Sequence, residues 1–527
     1  MSYSLNPYSG SWTSAEAGHL LRRALYGPTY AQLQDAVTNG IDATVDDLLV
    51  LTLAPNPPLS YHPKENVAAF GTSWVTSVYS TPLGKIDAAR ERSLDAWLIQ
   101  NNFELNSTIT QKMIMFWHNH FAVEDTKDSR ANYNYYELLR THALGNFKTL
   151  VKEMTIDPAM LVFLNGKDNV ASDPNENYAR ELLELYSIGK GHEIGNDDFS
   201  TYTEVDVTEG ARILTGYSIE GWRSTVITSP YAIFTEADHD MGSKTLSYHF
   251  NAATISPNGQ TEYEDYIDVI FAQPDFANFI CESIYHFFVN NDITNGVKTQ
   301  VIPEMAKTLT NNNFEILPVM KQLLKSEHFY DAALRGCLIK SPMDYVIGIY
   351  NSTDSKANFD VESDYRLYYN VYKELRDILG MNLSGPPSVA GWPAYYEAPN
   401  FSRLWVGAVH LKGRSQFIDT RIASGSFSAS TGKSLVVDFV GLLNSLPNPS
   451  NANSVIDALE ELYMPTPLNN TDKLALKNIL TDDLPNFEWT DLYNNYLLDP
   501  TANYTQVRNQ MRATLGALYK LYMFHTF

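Results

Sequence analysis

The sequence predicts a mainly α fold: a large multi-helix orthogonal bundle with a hairpin-like or irregular excursion near residues 224–260. Three observations carry this. Apolar residues recur at three- and four-residue spacing along most of the chain, the period of a helix with one buried face. Start and stop signals bracket many of those stretches. Between residues 223 and 259 the spacing changes to short runs suited to strands or loop.

Thr13 and Glu16 form a capping box ahead of Ala17, Leu20, Leu21, Ala24 and Leu25, and Gly27-Pro28 stops that helix. Thr29 and Gln32 open the next. Residues 87–101 and 107–120 read as two more helices, and 135–144 and 146–154 as a pair broken at Gly145. In residues 173–189, Asp173 suits the cap, Pro174 the first helical position, Glu176 the third, and Gly189 the left-handed end. One face of that helix holds Tyr178, Ala179, Leu182, Leu183, Leu185 and Tyr186. The other holds Asn177, Arg180, Glu181 and Glu184, with Arg180 and Glu184 spaced to pair. Thr203 caps a helix running to residue 215 and ended by Gly216.

Runs at 226–234 and 246–250 then flank the polar turn Asp238-His239-Asp240-Met241-Gly242-Ser243-Lys244. Helices resume at 262–271, 275–289, 302–310, 314–326, 341–350 and 365–379. Pro318 either kinks the fourth of these or lies in its first turn. Residues 385–393 are too rich in Gly and Pro for a helix, and 443–454 read as a surface loop. Helices at 455–463, 470–480 and 507–523 close the chain. The organisation expected is an N-terminal helical half (1–223), the excursion (224–261), a second helical half (262–425) and a C-terminal extension (426–527), together one integrated domain.

Composition narrows the function. The 527 residues are 44% hydrophobic, enough for a large core, and the formal charge of -23 argues against binding a nucleic-acid backbone. Two cysteines, Cys281 and Cys337, leave no disulfide scaffold and no Cys-based metal motif; Cys281 reads as a buried free thiol, and a single disulfide between the two stays open. No stretch approaches the ~20 apolar residues of a membrane helix. Residues 1–7 lack the basic and apolar regions of a secretory signal, which taken literally predicts a cytoplasmic protein. The 33 tyrosines, with many Asn, Ser and Thr, resemble the surfaces of exported bacterial proteins, so localisation stays open.

Four groups could carry chemistry. Arg180, Glu181 and Glu184 are either a solvated face or a cluster lining a cleft, where paired acids shift one another or hold a metal. His118 and His120 point about 200° apart if their helix continues, and form a metal half-site if it ends at Trp117. Asp238, His239 and Asp240 are either a locally bonded turn or part of a site, and Lys244 could pair with Glu181 or Glu184. Arg22 and Arg23 sit on a helix with an apolar stripe, so one of them needs a carboxylate, for which Glu181 and Glu184 are candidates. Nucleophile elbows, phosphate loops, dinucleotide fingerprints and His-Glu-x-x-His are absent.

Two functions follow. One is an enzyme whose cleft gathers Arg180, Glu181, Glu184 and His239, with His118, His120 and Asp240 as ligands for a divalent metal in hydrolytic or oxidative chemistry. The other is a non-catalytic surface or envelope scaffold, whose Arg22, Arg23, Asn177 and Lys244 belong to a structural ion-pair network.

Several motifs in order resemble a large bacterial family known as domain of unknown function 1800. They are His19-Leu20-Leu21-Arg22-Arg23-Ala24-Leu25-Tyr26-Gly27-Pro28, Trp117-His118-Asn119-His120-Phe121, Asp157-Pro158-Ala159-Met160-Leu161, residues 174–189, Leu214-Thr215-Gly216-Tyr217, His239-Asp240-Met241-Gly242-Ser243-Lys244-Thr245, and Pro386-Pro387-Ser388-Val389-Ala390-Gly391-Trp392-Pro393. The resemblance implies no agreed activity. It does imply frequent export or surface association, and a partner protein resembling alkaline phosphatases and sulfatases.

Overall fold

A computed structural model describes residues 1–527 except Leu53, Asp125 and Gly425. Helices dominate, and the described strands form four two-stranded antiparallel pairs. Buried apolar side chains from Ala17 to Phe524 form one contact cluster, so the first helix and the last turn share a core. No described helix is long and apolar enough to cross a membrane. Both cysteines are free, and Cys281 is buried.

The first helix, Ser14–Ala24, begins with the expected Thr13/Glu16 box, and the second, Tyr30–Leu48, with the Thr29/Gln32 box. Between them the chain turns at Gly27, whose φ of +76° favours glycine and where a Cβ would collide with the Gly348 carbonyl. Asn106 and Asn351 clamp this turn. Asn106 accepts from the Tyr26 amide at 2.8 Å and donates to the Gly27 carbonyl at 2.9 Å, while Asn351 donates to the Tyr26 carbonyl at 2.8 Å. The first helix packs on both the second and the Ala452–Tyr463 helix; Leu83–Glu104 packs along Val361–Asp377.

Several helix readings change: Pro158–Phe163, Ala408–Phe417 and Phe439–Ser445 are helices the sequence does not announce, and the expected 443–454 loop shrinks to the residues between Ser445 and Ala452. The predicted helix at 173–189 is shorter, Asn177–Glu184, because the Asp173 amide bonds back to Val170 and the Asn175 amide to Asn169 Oδ1, which holds residues 170–175 as a turn. Asp173 therefore caps nothing, although Gly189 ends the segment as expected, donating to the Leu183 carbonyl at φ +73°. The Asn486–Leu498 helix had no counterpart in the sequence reading.

The excursion also differs from a single hairpin. Tyr217–Glu220 pairs with Tyr231–Phe234, and Lys244–Thr245 pairs with Thr254–Ile255. Arg130 pins its tip, donating to the carbonyls of Gly221 and Ile227 at 2.9 Å while ion-pairing with Asp128 at 2.6 Å, both side chains fully buried.

Candidate functional site

The polar face of the Asn177–Glu184 helix is half-buried and self-contained. Arg180 grips Glu204 at 2.6 Å and Glu176 at 2.9 Å, not Glu184. Glu184 accepts from the Tyr202 hydroxyl at 3.0 Å and meets Lys190 at 3.4 Å. Burial, then the neighbouring Glu184, pushes the Glu181 carboxyl above its ordinary value. Asn177 is exposed, with its amide bonded to Asn175 Oδ1. Because Arg180 and its two acids all keep water contact, Arg180→Ala is expected to cost less than about 1 kcal/mol, read as a small shift in the urea midpoint.

His239, Asp240 and Lys244 lie elsewhere, against the start of the Glu262–Phe271 helix. His239 Nε2 lies 3.0 Å from Glu262 Oε2, and Nδ1 lies 2.9 Å from the Thr215 carbonyl and 3.2 Å from the Thr215 hydroxyl. Lys244 Nζ contacts Glu262 Oε1 at 2.6 Å and donates to the Asp240 carbonyl. Asp240 takes a two-pronged contact from Arg212, which also reaches Glu209 at 2.7 Å. The Arg212 hydrogen bond holds the Asp240 carboxyl below its usual range. The side chains of His239, Lys244 and Glu262 are all 0% exposed. Lys244 thus pairs with Glu262 rather than with Glu181 or Glu184, because the 262–271 helix, not 177–184, lies against it.

The Thr110–Phe121 helix continues through both of its histidines, so their rings diverge. His118 receives the Tyr135 hydroxyl on Nδ1 at 3.0 Å and donates from Nε2 to the Leu383 carbonyl at 2.6 Å. His120 donates to the Tyr186 carbonyl at 3.1 Å amid Phe116, Trp117, Phe121 and Phe147. Burial pushes each down to about 4, leaving both neutral at physiological pH. His118, His120 and Asp240 are not brought together as ligands: both His118 nitrogens are already bonded, and Asp240 is held by Arg212. Among the described residues no group of three or more His, Cys, Asp or Glu could hold a metal ion.

Arg22 and Arg23 are both buried, and neither meets Glu181 or Glu184. Arg22 donates to the Glu461 and Leu462 carbonyls at 3.2 and 3.3 Å. Arg23 donates to the carbonyls of Phe288, Val289 and Leu334 at 2.8, 2.6 and 2.5 Å. Helix C-termini and turns supply the acceptors that carboxylates were expected to supply.

His118 does border a pocket. It lies between the Leu83–Glu104, Thr110–Phe121 and Ser129–Thr141 helices, with Met343 and Leu383 closing one side, and with the solvent space at its mouth it spans about 420 Å³. Trp97, Leu98, Ile114 and Met115 give it apolar walls. Four lining residues carry buried polar atoms with no partner: Asn101 Nδ2, Asn102 Oδ1, Gln111 Nε2 and Arg140 Nη1. That makes three donors and one acceptor. Leaving a buried polar atom unpaired costs about 1–3 kcal/mol each, so their concentration at one pocket is the most informative arrangement in the molecule. Sequence reading passed over all four. The available signal was two adjacent asparagines, weak helix formers, inside the predicted helix 87–101 and just past it.

A family model described as protein of unknown function (DUF1800) matches residues 19–501. No curated protein and no solved structure matches.

Proposed function

Since the chain belongs to the DUF1800 family, a membership that assigns no chemistry, we propose from its own residues that it binds a small amphiphilic carbonyl compound, a carboxylate or carboxamide with a short apolar body. The unpaired quartet at the 420 Å³ pocket carries this reading. Asn101 Nδ2, Gln111 Nε2 and Arg140 Nη1 would donate to the carbonyl or carboxylate oxygens. Asn102 Oδ1 would accept from a ligand N–H or O–H. Trp97, Ile114, Met115 and Met343 would take the apolar part. A mostly apolar pocket with a few convergent polar groups is the usual form of a small-molecule site. His118, fixed by Tyr135 and Leu383, would shape the wall rather than act on the ligand.

The metal-assisted enzyme has less support, because its residues fall in separate places: the surface of one helix, a buried network and an aromatic core. The scaffold reading keeps one specific support. The His239–Glu262–Lys244 network is completely enclosed, with the Lys244 ammonium against the Glu262 carboxylate and the His239 ring on its other oxygen, as a structural network requires.

Hexanoate and hexanamide test the pocket by calorimetry. At least one is expected to bind, with affinity about tenfold weaker in Arg140→Met or Gln111→Met, the equivalent of losing one hydrogen bond of about 1.4 kcal/mol. Absence of binding by both probes, or binding indifferent to both substitutions, would sink the proposal.

A further inference from the structure

A separate excess of buried positive charge lies behind the first helix. Arg22, Arg23, Lys112, Lys340 and Arg414 are each at most 6% exposed. Lys340 is within electrostatic reach of Arg22, Arg414, Lys112 and the Asp344 carboxylate, and Lys112 within reach of Arg23. Asp344 is already engaged: Lys112 Nζ contacts one oxygen, and the Ser341 amide and hydroxyl bond the other at 3.0 and 2.7 Å.

The other cations are treated unequally. Arg23 and Arg414 spend their terminal nitrogens on carbonyls and on His525 Nδ1. Arg22 has only two long carbonyl contacts, both on Nη1, and its Nε, like those of Arg23 and Arg414, is buried without a partner. Lys340 Nζ has neither a hydrogen bond nor an ion pair among the described residues; its close neighbour is the Phe524 ring, 3.9 Å to the centroid. Carbonyls satisfy hydrogen bonds without cancelling charge, and an uncompensated buried charge costs several kcal/mol. Consistent with that, burial pushes the Arg22 guanidinium down to about 9 and the Lys340 ammonium well down. Arg22 and Lys340 both face one pocket of about 360 Å³, whose other walls include Leu25, Ser352, Tyr463, Phe524 and the Asp344 already engaged by Lys112 and Ser341.

We infer that this pocket takes a small oxyanion group, a carboxylate, phosphate or sulfate, held directly by Lys340 Nζ and the Arg22 guanidinium. It shares no lining residue with the carbonyl pocket at Asn101 and Arg140, and it stands whether or not that pocket binds anything.

Thermal unfolding of the whole chain at constant ionic strength tests it, with phosphate, sulfate and acetate compared against chloride. At least one oxyanion is expected to raise Tm saturably by about 2–4 °C. That response should vanish in Lys340→Met and in Arg22→Leu, and persist in Lys307→Met, a control on the exposed face of another helix. A wild-type chain that treats all three oxyanions like chloride, or a response surviving in both pocket variants, overturns the inference. Should those variants fail to fold, a wild-type crystal soaked in selenate answers instead. An anomalous peak between Lys340 Nζ and Arg22 supports the site, and an empty position there at saturating selenate overturns it.

Discussion

Glu262→Ala is expected to destabilise the protein by about 3–5 kcal/mol, measured by urea unfolding. Among the described residues, Glu262 is the one carboxylate that both His239 and Lys244 contact directly, with all three side chains fully buried. Its removal leaves the Lys244 ammonium and the His239 ring sealed in the core with backbone carbonyls and the edge of Asp240. Replacing Glu262, Lys244 and His239 together with apolar residues of similar size should cost far less, since a buried ion network contributes little net stability once all its members go. If the single substitution is as mild as the triple, the network does not have the role described.

Asp157 sets the second large effect. It caps the Pro158–Phe163 helix, accepting from the Ala159 and Met160 amides at 2.9 and 3.1 Å, yet it is buried. Burial raises its carboxyl from 3.8 to about 7 against the opposing pull of those amides. The sign follows directly. Below about 4 the carboxyl is protonated both folded and unfolded, and nothing is lost. Between about 4 and 7 the unfolded chain releases the proton and the folded one keeps it, so stability falls as pH rises through this window. Above 7 the loss is complete, at about 4 kcal/mol. Asp157→Asn, a neutral cap of the same shape, should remove this component. The stability difference between the variant and the wild type should therefore shift in favour of the variant from pH 4 to pH 7. A constant difference across that window would refute it.

What could be read from the chain was what neighbours within a few residues decide. The boxes at Thr13/Glu16, Thr29/Gln32 and Thr203/Asp206 are present because donor and acceptor are three residues apart. The 177–184 helix starts late because Asn169, outside the local window, takes the Asn175 amide. The Tyr217–Glu220 strand escaped notice because its partner lies beyond an intervening loop. The Asn486–Leu498 helix buries only Trp489 and Tyr493, too thin a stripe to register as periodicity. At the sites the limit was sharper. The sequence marks Arg22 and Arg23 as needing a carboxylate and His239 as part of a turn or a site, but their actual neighbours, the carbonyls of 288, 289 and 334 for Arg23 and Glu262 for His239, depend on which segments lie opposite. That Asn101 Nδ2, Gln111 Nε2 and Arg140 Nη1 lack partners, while Arg140 Nε pairs with Glu137 at 3.0 Å, belongs to their surroundings and leaves no mark on spacing or composition.

The acceptors of Arg22 and Arg23 also impose a timetable on synthesis. Arg23 bonds to residues 265–311 positions further along, and Arg22 to residues 439 and 440 positions further along. At ~5–20 residues per second, a ribosome needs on the order of 20–90 s to supply the last of them. Throughout that interval the first helix has emerged with two guanidinium groups and an apolar stripe, and with nowhere native to put either. The nascent chain is therefore expected to hold the 14–24 helix open to chaperones and proteases until the 452–463 helix arrives, so that a segment made early is among the last to be locked.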